Sequence, residues 1–166
     1  MSERLPEGWE ELDPAPLLAL WEAHFGVPPE TFDGLAFFRR REIGVPARTS
    51  QSGSLWVRPA GVPVPLAPTP QTVGLRVRRG DKPDTQLSNA FARRYFAGAT
   101  RHVVRLEDHD EISGYFTAGD LSRHTPIDGD GYYLVLSPWG VLGRARAWDG
   151  ELRGEASKNE RRPPIL

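Results

Sequence analysis

The apolar positions in the first quarter of the chain follow helical spacing. Asp13 and Pro14 are typical of an N-cap and a first helical position, and Gly26 is a stop signal. This pattern predicts one helix between them and a short second helix over 30–38. The apolar stripes are Leu17, Leu18, Leu20, Trp21 and Phe25 in the first helix, and Phe32, Leu35 and Phe38 in the second.

The pattern then changes to the alternation typical of strands. Two short runs between 43 and 57 are separated by a Ser/Gly loop, and the proline-rich stretch 59–70 is an extended connection. In 73–79 the apolar residues occupy alternate positions, which places Arg76 and Arg78 on the outward face of a half-buried strand. Asp84 is then the expected cap of a helix that runs to about Ala97 and stops at Gly98.

The second half consists of shorter segments. A strand over 101–106 precedes a helix that begins at Asp108 and ends at Gly119. A strand over 132–136 turns at Pro138-Trp139-Gly140 into an antiparallel partner over 141–148, and Asp149-Gly150 makes a second hairpin turn. This order of elements predicts an α+β fold that ends in a small β-barrel, with a boundary near Gly98.

The charge is segregated along the chain, although the net charge is only −1. Residues 1–33 hold one basic and eight acidic residues, 34–106 hold thirteen and three, and 107–166 hold seven and eleven. A middle segment of +10 is typical of a surface that binds phosphates. The alternative is that its arginines are solvated and pair with the acidic ends of the same chain, and composition alone favours neither.

The chain lacks the residues of several enzyme classes. It has no cysteine, which excludes disulfides, thiolate metal sites and a cysteine nucleophile. A phosphate-binding glycine loop, a dinucleotide fingerprint and a Gly-Xaa-Ser-Xaa-Gly elbow are also missing, so we expect no cofactor and no enzyme activity. His109 lies in the acidic run 107–111, but neighbouring positions at a helix start point apart, which favours a structural role over a metal site.

No targeting or membrane segment is expected. The longest uncharged stretch, 59–75, contains five prolines and cannot form a membrane-spanning helix. The N-terminal residues lack a basic start followed by an apolar run, so no signal peptide is predicted and the expected location is the cytoplasm.

A series of short motifs resembles one family of RNA-modifying enzymes. In chain order the motifs are Phe25-Gly26-Val27-Pro28, Phe37-Phe38, Gly74-Leu75-Arg76-Val77-Arg78, 99–106, 115–121, 131–135, Leu142-Gly143 and Lys158-Asn159. Their order and spacing, over about 21–159, resemble the C-terminal RNA-binding region of the Sun-family rRNA 5-methylcytosine methyltransferases. That resemblance implies an N-terminal α/β pre-PUA domain at 1–98 and a PUA-like β-barrel domain at 99–166.

The resemblance implies RNA binding without catalysis. The methyltransferase domain of the family is absent, and the cysteine nucleophile that its reaction requires is absent as well. The function expected is therefore that of a stand-alone, monomeric RNA-binding protein that acts on rRNA or tRNA in ribosome biogenesis or RNA modification. The predicted RNA-binding residues are Arg39, Arg40, Arg41, Arg76, Arg78, Arg79, Arg93, Arg94, Arg101, Arg144, Arg146 and Lys158.

Two other functions remain open from the sequence. The acidic ends and the proline-rich stretch are compatible with an adapter that binds a ribosome-assembly or methyltransferase protein. A small enzyme that uses His109 with Asp108 or Asp110 is the third hypothesis. The aromatic residues of the second half are expected in the barrel core; they are Tyr115, Phe116, Tyr132, Tyr133 and Trp148.

Overall fold

The computed structural model describes residues 4–41, 53–68, 70, 72–80 and 82–156. These ranges contain three α-helices, one 3₁₀ helix and eight strands. In chain order the elements are β1 (Trp9–Leu12), α1 (Ala15–Phe25), the 3₁₀ helix (Pro29–Phe32), β2 (Leu35–Arg40), β3 (Leu55–Pro59), β4 (Leu75–Arg78), α2 (Asn89–Tyr95), β5 (Val103–Arg105), α3 (His109–Ala118), β6 (Gly131–Ser137), β7 (Gly140–Trp148) and β8 (Glu151–Gly154).

The strands form two four-stranded sheets, one in each half of the chain. The first has the order β1-β2-β3-β4 and is antiparallel throughout. The second has the order β5-β6-β7-β8, in which β5 pairs with β6 in parallel and the remaining pairs are antiparallel. Helices and sheets in this arrangement confirm the mixed α and β content of the predicted α+β class.

The larger hydrophobic core joins the two halves of the chain. Trp21 of α1 lies at its centre, with its ring centroid 5.1 Å from that of Phe32 and 5.4 Å from that of Phe91. Leu134 and Leu136 of β6 belong to the same cluster of buried side chains. One face of the second sheet is therefore partly covered by the N-terminal half, and residues on both sides of position 98 share one core.

The opposite face of the second sheet carries a separate core. Tyr115 of α3 is fully buried there, and its hydroxyl donates to the carbonyl oxygen of Arg144 at 2.9 Å. Gly143 and Gly154 make room for its ring, since a Cβ at Gly143 would lie 2.4 Å from the Tyr115 hydroxyl oxygen. α3 itself begins at the predicted cap, where Asp108 accepts from the amide of Glu111, and ends at Gly119 as expected.

Two helix predictions differ from the structure. The helix expected over 30–38 is wrong: only Pro29–Phe32 is helical, and Leu35–Arg40 forms β2 between β1 and β3. The helix expected from Asp84 begins only at Asn89, because the Ser88 hydroxyl caps it by accepting from the amide of Phe91. Within the described residues, no helix combines the length and apolar character needed to span a lipid bilayer.

Candidate nucleic-acid interface

The open part of the second sheet carries a row of planar and basic side chains. Tyr132 on β6 lies directly opposite Arg146 on β7, which in turn lies opposite Arg153 on β8. Trp148, two residues after Arg146, shares its face because side chains alternate along a strand. We refer to Tyr132, Arg146, Trp148 and Arg153 as the stacking face.

Arg146 lies between the two aromatic rings of this face. Its guanidinium carbon is 5.1 Å from the ring centroid of Trp148 and 5.6 Å from that of Tyr132, within the range of cation–π contacts. The side chain of Trp148 is nevertheless 63% exposed. An open groove of about 540 Å³ lies here, lined by Arg146, Trp148, Glu151, Arg153 and Glu155.

The sequence of β7 explains why this face forms. Gly143, Ala145 and Ala147 are small and point into the core against α3, so the longer side chains of the strand face the other way. The turn at Asp149-Gly150 has positive φ at both residues, as a two-residue hairpin of this kind requires. That turn fixes the register in which Trp148 opposes Glu151.

Helix α2 packs along β7 and brings further arginines beside this sheet. The Nε of Arg93 donates to the carbonyl oxygen of Leu142 at 3.0 Å, and Arg144 Nη1 donates to the carbonyl oxygen of Leu87 at 2.7 Å. Arg93 and Arg94 are both exposed. Predicted residues that are about fifty positions apart in the chain thus lie on two adjacent elements. We refer to these four arginines as the α2–β7 seam: Arg93, Arg94, Arg144 and Arg146.

The three consecutive arginines at the end of β2 lie on the first sheet. Arg41 Nε is 3.0 Å from a carboxylate oxygen of Glu10, and Arg39 Nη1 is 3.6 Å from the other. The guanidinium of Arg40 lies over the ring of Trp9, 5.9 Å from its centroid. The single carboxylate of Glu10 is therefore shared by two of the three guanidinium groups and offsets one of the three positive charges, because β1 and β2 are neighbours.

The outward placement predicted for Arg78 is wrong. Its side chain is buried, donates from Nε to Asp84 Oδ1 at 2.5 Å, and donates from Nη1 to the carbonyl oxygens of Gly53 and Gly80. A register irregularity between β3 and β4 places Arg78 opposite Leu55, whereas Arg76 lies opposite Trp56, so the two arginines do not share the sheet face that strict alternation predicts. Arg78 holds the chain together at this point, and a phosphate cannot reach its guanidinium.

The remaining residues predicted to bind RNA differ in their exposure to solvent. Arg76 is half-buried on β4, and Arg79 is exposed just beyond the strand. Arg101 is exposed and donates to the carbonyl oxygen of Ala23 in the last turn of α1 at 3.1 Å. Lys158 lies outside the described residues.

Only some of the aromatic residues that the sequence analysis expected in the barrel core are buried. Tyr115 and Tyr133 are buried as predicted, while Phe116 is partly buried against the same cluster. Trp148 is exposed, and the prediction for it is wrong because its position on β7 faces away from α3. Arg144 and Arg146, at alternate positions before Trp148, were the signal in the sequence that this strand face is polar.

The histidines contribute structural contacts. His24 and His102 stack with ring centroids 3.7 Å apart, and His24 Nε2 lies 2.9 Å from the carbonyl oxygen of Tyr132. Burial, more than any other factor, lowers the pKa of His24 below 6.5, and the neighbouring His102 also lowers it. The loop residue His124 lies 3.0 Å from Glu111. Among the described residues, no three His, Asp or Glu side chains are grouped as metal ligands would be.

No protein-family model matches the sequence, and no curated protein matches it.

Proposed function

We propose that this protein is a non-catalytic RNA-binding protein that acts on rRNA or tRNA. The observation that carries the proposal is the α2–β7 seam, where arginines distant in the sequence lie on adjacent elements next to exposed aromatic rings. Structured RNA is recognised mainly through phosphates, 2′-hydroxyls and shape, and guanidinium groups on a rigid scaffold suit those contacts. The PUA-like character of the second half and a role in ribosome biogenesis or RNA modification are parts of the same proposal.

The charge distribution supports this function over a purely structural role for the arginines. The two acidic ends neutralise specific residues, since Glu10 pairs with Arg39 and Arg41, and Glu155 pairs with Arg144 at 2.7 Å. Arg93 and Arg94 of α2 are exposed; Arg93 Nε donates to the carbonyl oxygen of Leu142, and Arg94 Nε donates to the hydroxyl oxygen of Tyr95. Guanidinium groups on the surface of a helix are accessible to the phosphates of a polyanion.

Salt-dependent binding of a structured rRNA fragment tests the proposal. We expect submicromolar affinity at low salt and a linear fall of log K with log salt concentration, because phosphate contacts release counterions. The double variant Arg93→Gln/Arg94→Gln removes two such contacts, and its salt slope should be smaller by about one to two. Nitrocellulose filter binding across a salt series measures both quantities.

The matched control is Arg39→Gln/Arg41→Gln. It changes the net charge by the same amount, but these two side chains are paired with Glu10 in the free protein. We expect an unchanged salt slope and an affinity within about twofold of the original. Affinity weaker than micromolar at low salt, or a flat salt slope, would contradict RNA binding; equal losses in both double variants would contradict the α2–β7 seam as the site.

A second candidate function is an adapter for a ribosome-assembly or RNA-modifying protein. It is favoured by the proline-rich connection after β3, in which Val62 and Leu66 are about half exposed. Exposed apolar side chains on an extended, proline-rich segment are suited to a protein partner. Pull-downs with the unmodified protein and with Val62→Ser/Leu66→Ser would separate the two functions, because only the adapter loses a partner.

A further inference from the structure

The stacking face has an exposed indole that the fold does not need. Aromatic side chains stabilise a fold mainly through the area they bury, and an indole at a solvent-facing position gains little of that stabilisation. Trp148 remains 63% exposed even though Arg146 lies beside it. The plane of the ring is thus available to a ligand with a planar face.

The electrostatics of the groove select the kind of ligand. Glu155 is neutralised by Arg144, and Glu151 lies 3.5 Å from Arg153. No carboxylate pairs with Arg146 in the described part of the chain; the groups beside its guanidinium are the two rings. A cation without a counterion next to an open aromatic plane suits a ligand that is both planar and anionic.

We propose that this groove binds an unpaired RNA base, which stacks on Trp148 while Arg146 contacts its phosphate. The proposal rests on the RNA-binding function proposed above and specifies the part of the RNA that the stacking face binds. Stacking of bases on aromatic side chains is the general means by which proteins hold unpaired nucleotides. A base in a continuous duplex has both faces covered by its neighbours, so it cannot stack on Trp148.

The position of the groove is consistent with an RNA that also contacts the α2–β7 seam. On β6, Leu134 is buried under the N-terminal half, while Tyr132, two residues earlier on the same face, lies opposite Arg146, which lines the groove. Opposite Leu134 lies Arg144, whose side chain reaches the residue before Ser88, the cap of α2. The stacking face and Arg93 of α2, which donates to Leu142 on β7, therefore both lie along β7, so an RNA strand that leaves a helical segment can contact both.

Comparison of a single-stranded RNA with the duplex formed from it tests the inference. The probes are a fluorescein-labelled decamer without self-complementarity and the same strand annealed to its complement, both measured by anisotropy at one salt concentration. Trp148→Ala should weaken decamer binding by about 5- to 100-fold, the range that removal of one base-stacking ring causes. The affinity of Trp148→Ala for the duplex should change by less than about twofold, because the protein contacts only the phosphates of a duplex.

Two further variants separate stacking from general surface effects. Trp139→Ala removes the other exposed indole, which is 82% exposed in the β6–β7 turn and lies outside the groove, and should leave both affinities unchanged. Arg146→Lys keeps the charge but loses the guanidinium plane, so it should weaken decamer binding several-fold and duplex binding, to which Arg146 contributes as part of the α2–β7 seam, by a smaller factor. Melting temperatures of all variants establish that they are folded.

The outcomes test base stacking and RNA binding separately. Unchanged decamer affinity in Trp148→Ala, or equal losses for decamer and duplex, overturns base stacking but leaves RNA binding in place. An original protein that binds neither probe overturns both the proposed function and this inference. Selective loss of decamer binding in Trp148→Ala and a larger loss for decamer than for duplex in Arg146→Lys, with Trp139→Ala unaffected, support the inference.

Discussion

Replacement of Arg78 by methionine tests whether this arginine holds the fold or contacts RNA. The substitution keeps an unbranched apolar stem and removes the guanidinium, which donates to Asp84 and to the carbonyl oxygens of Gly53 and Gly80. The main chain at Asp84 is also a structural contact, because its carbonyl oxygen accepts from Trp21 Nε1 at 2.9 Å. Loss of the guanidinium therefore affects the contacts at Gly80 and Asp84 and, through Asp84, the packing of Trp21 in the main core.

The size of the effect follows from burial and from the number of lost contacts. Removal of one partner from a buried ion pair costs about 3–5 kcal/mol. The Asp84 side chain is 40% exposed, so water can solvate its carboxylate once Arg78 is gone, and the lower end of that range applies. We expect a loss of about 3 kcal/mol in the free energy of unfolding, which for this chain length lowers Tm by about 6–12 °C.

Urea denaturation followed by tryptophan fluorescence measures this loss, with Arg76→Met as the control. Arg76 is on the same strand but lies opposite Trp56, on the other face of the sheet; it is half-buried, and within the described residues its side chain makes no hydrogen bond or ion pair. The control should change the unfolding free energy by less than about 0.5 kcal/mol. If Arg78→Met were as stable as the control and bound RNA more weakly, Arg78 would be a surface contact and the structural role would be refuted.

Two further predictions concern pH and packing. Because the pKa of His24 in the folded protein is lowered below 6.5, the unfolded chain binds more protons than the folded chain at acidic pH. The contribution of neutral His24 to the free energy of unfolding is therefore complete above about pH 6.5 and is lost as the pH falls below that value. Urea midpoints between pH 7.5 and 5 should show this decline, and a His24→Gln variant should show less of it. Gly143→Ala places a methyl group against the Tyr115 hydroxyl and should cost about 1–3 kcal/mol in a thermal melt. Gly98→Ala, whose Cβ meets no atom within 4 Å, should cost little.

The elements that the sequence predicted well are those with local signals at both ends. α1 and α3 end at glycines in the left-handed conformation, Gly26 and Gly119, and α3 begins at its capping Asp108. The hairpin at Asp149-Gly150 is likewise set by residues that accept positive φ. Caps and tight turns depend on neighbours in the sequence, so they can be recognised without the rest of the fold.

The segment 30–38 shows where local signals fail. Its short apolar run fits a helical stripe as well as a strand, and pairing of β2 with β1 and β3 decided in favour of the strand. β1 itself, with two adjacent glutamates in four residues, has little strand signal of its own. Strand pairing joins residues far apart in the chain, which is why sequence periodicity did not reveal it.

The candidate site shows the same division. The sequence by itself determined that the chain carries a strongly basic middle segment, has no cysteine chemistry, and places Arg144 and Arg146 on one strand face. Only the tertiary structure decided that Arg78 is buried and paired with Asp84, that Arg39 and Arg41 share the carboxylate of Glu10, and that Trp148 is exposed beside Arg146. Charge and alternation are properties of the chain, whereas burial and pairing depend on which distant segment covers each residue.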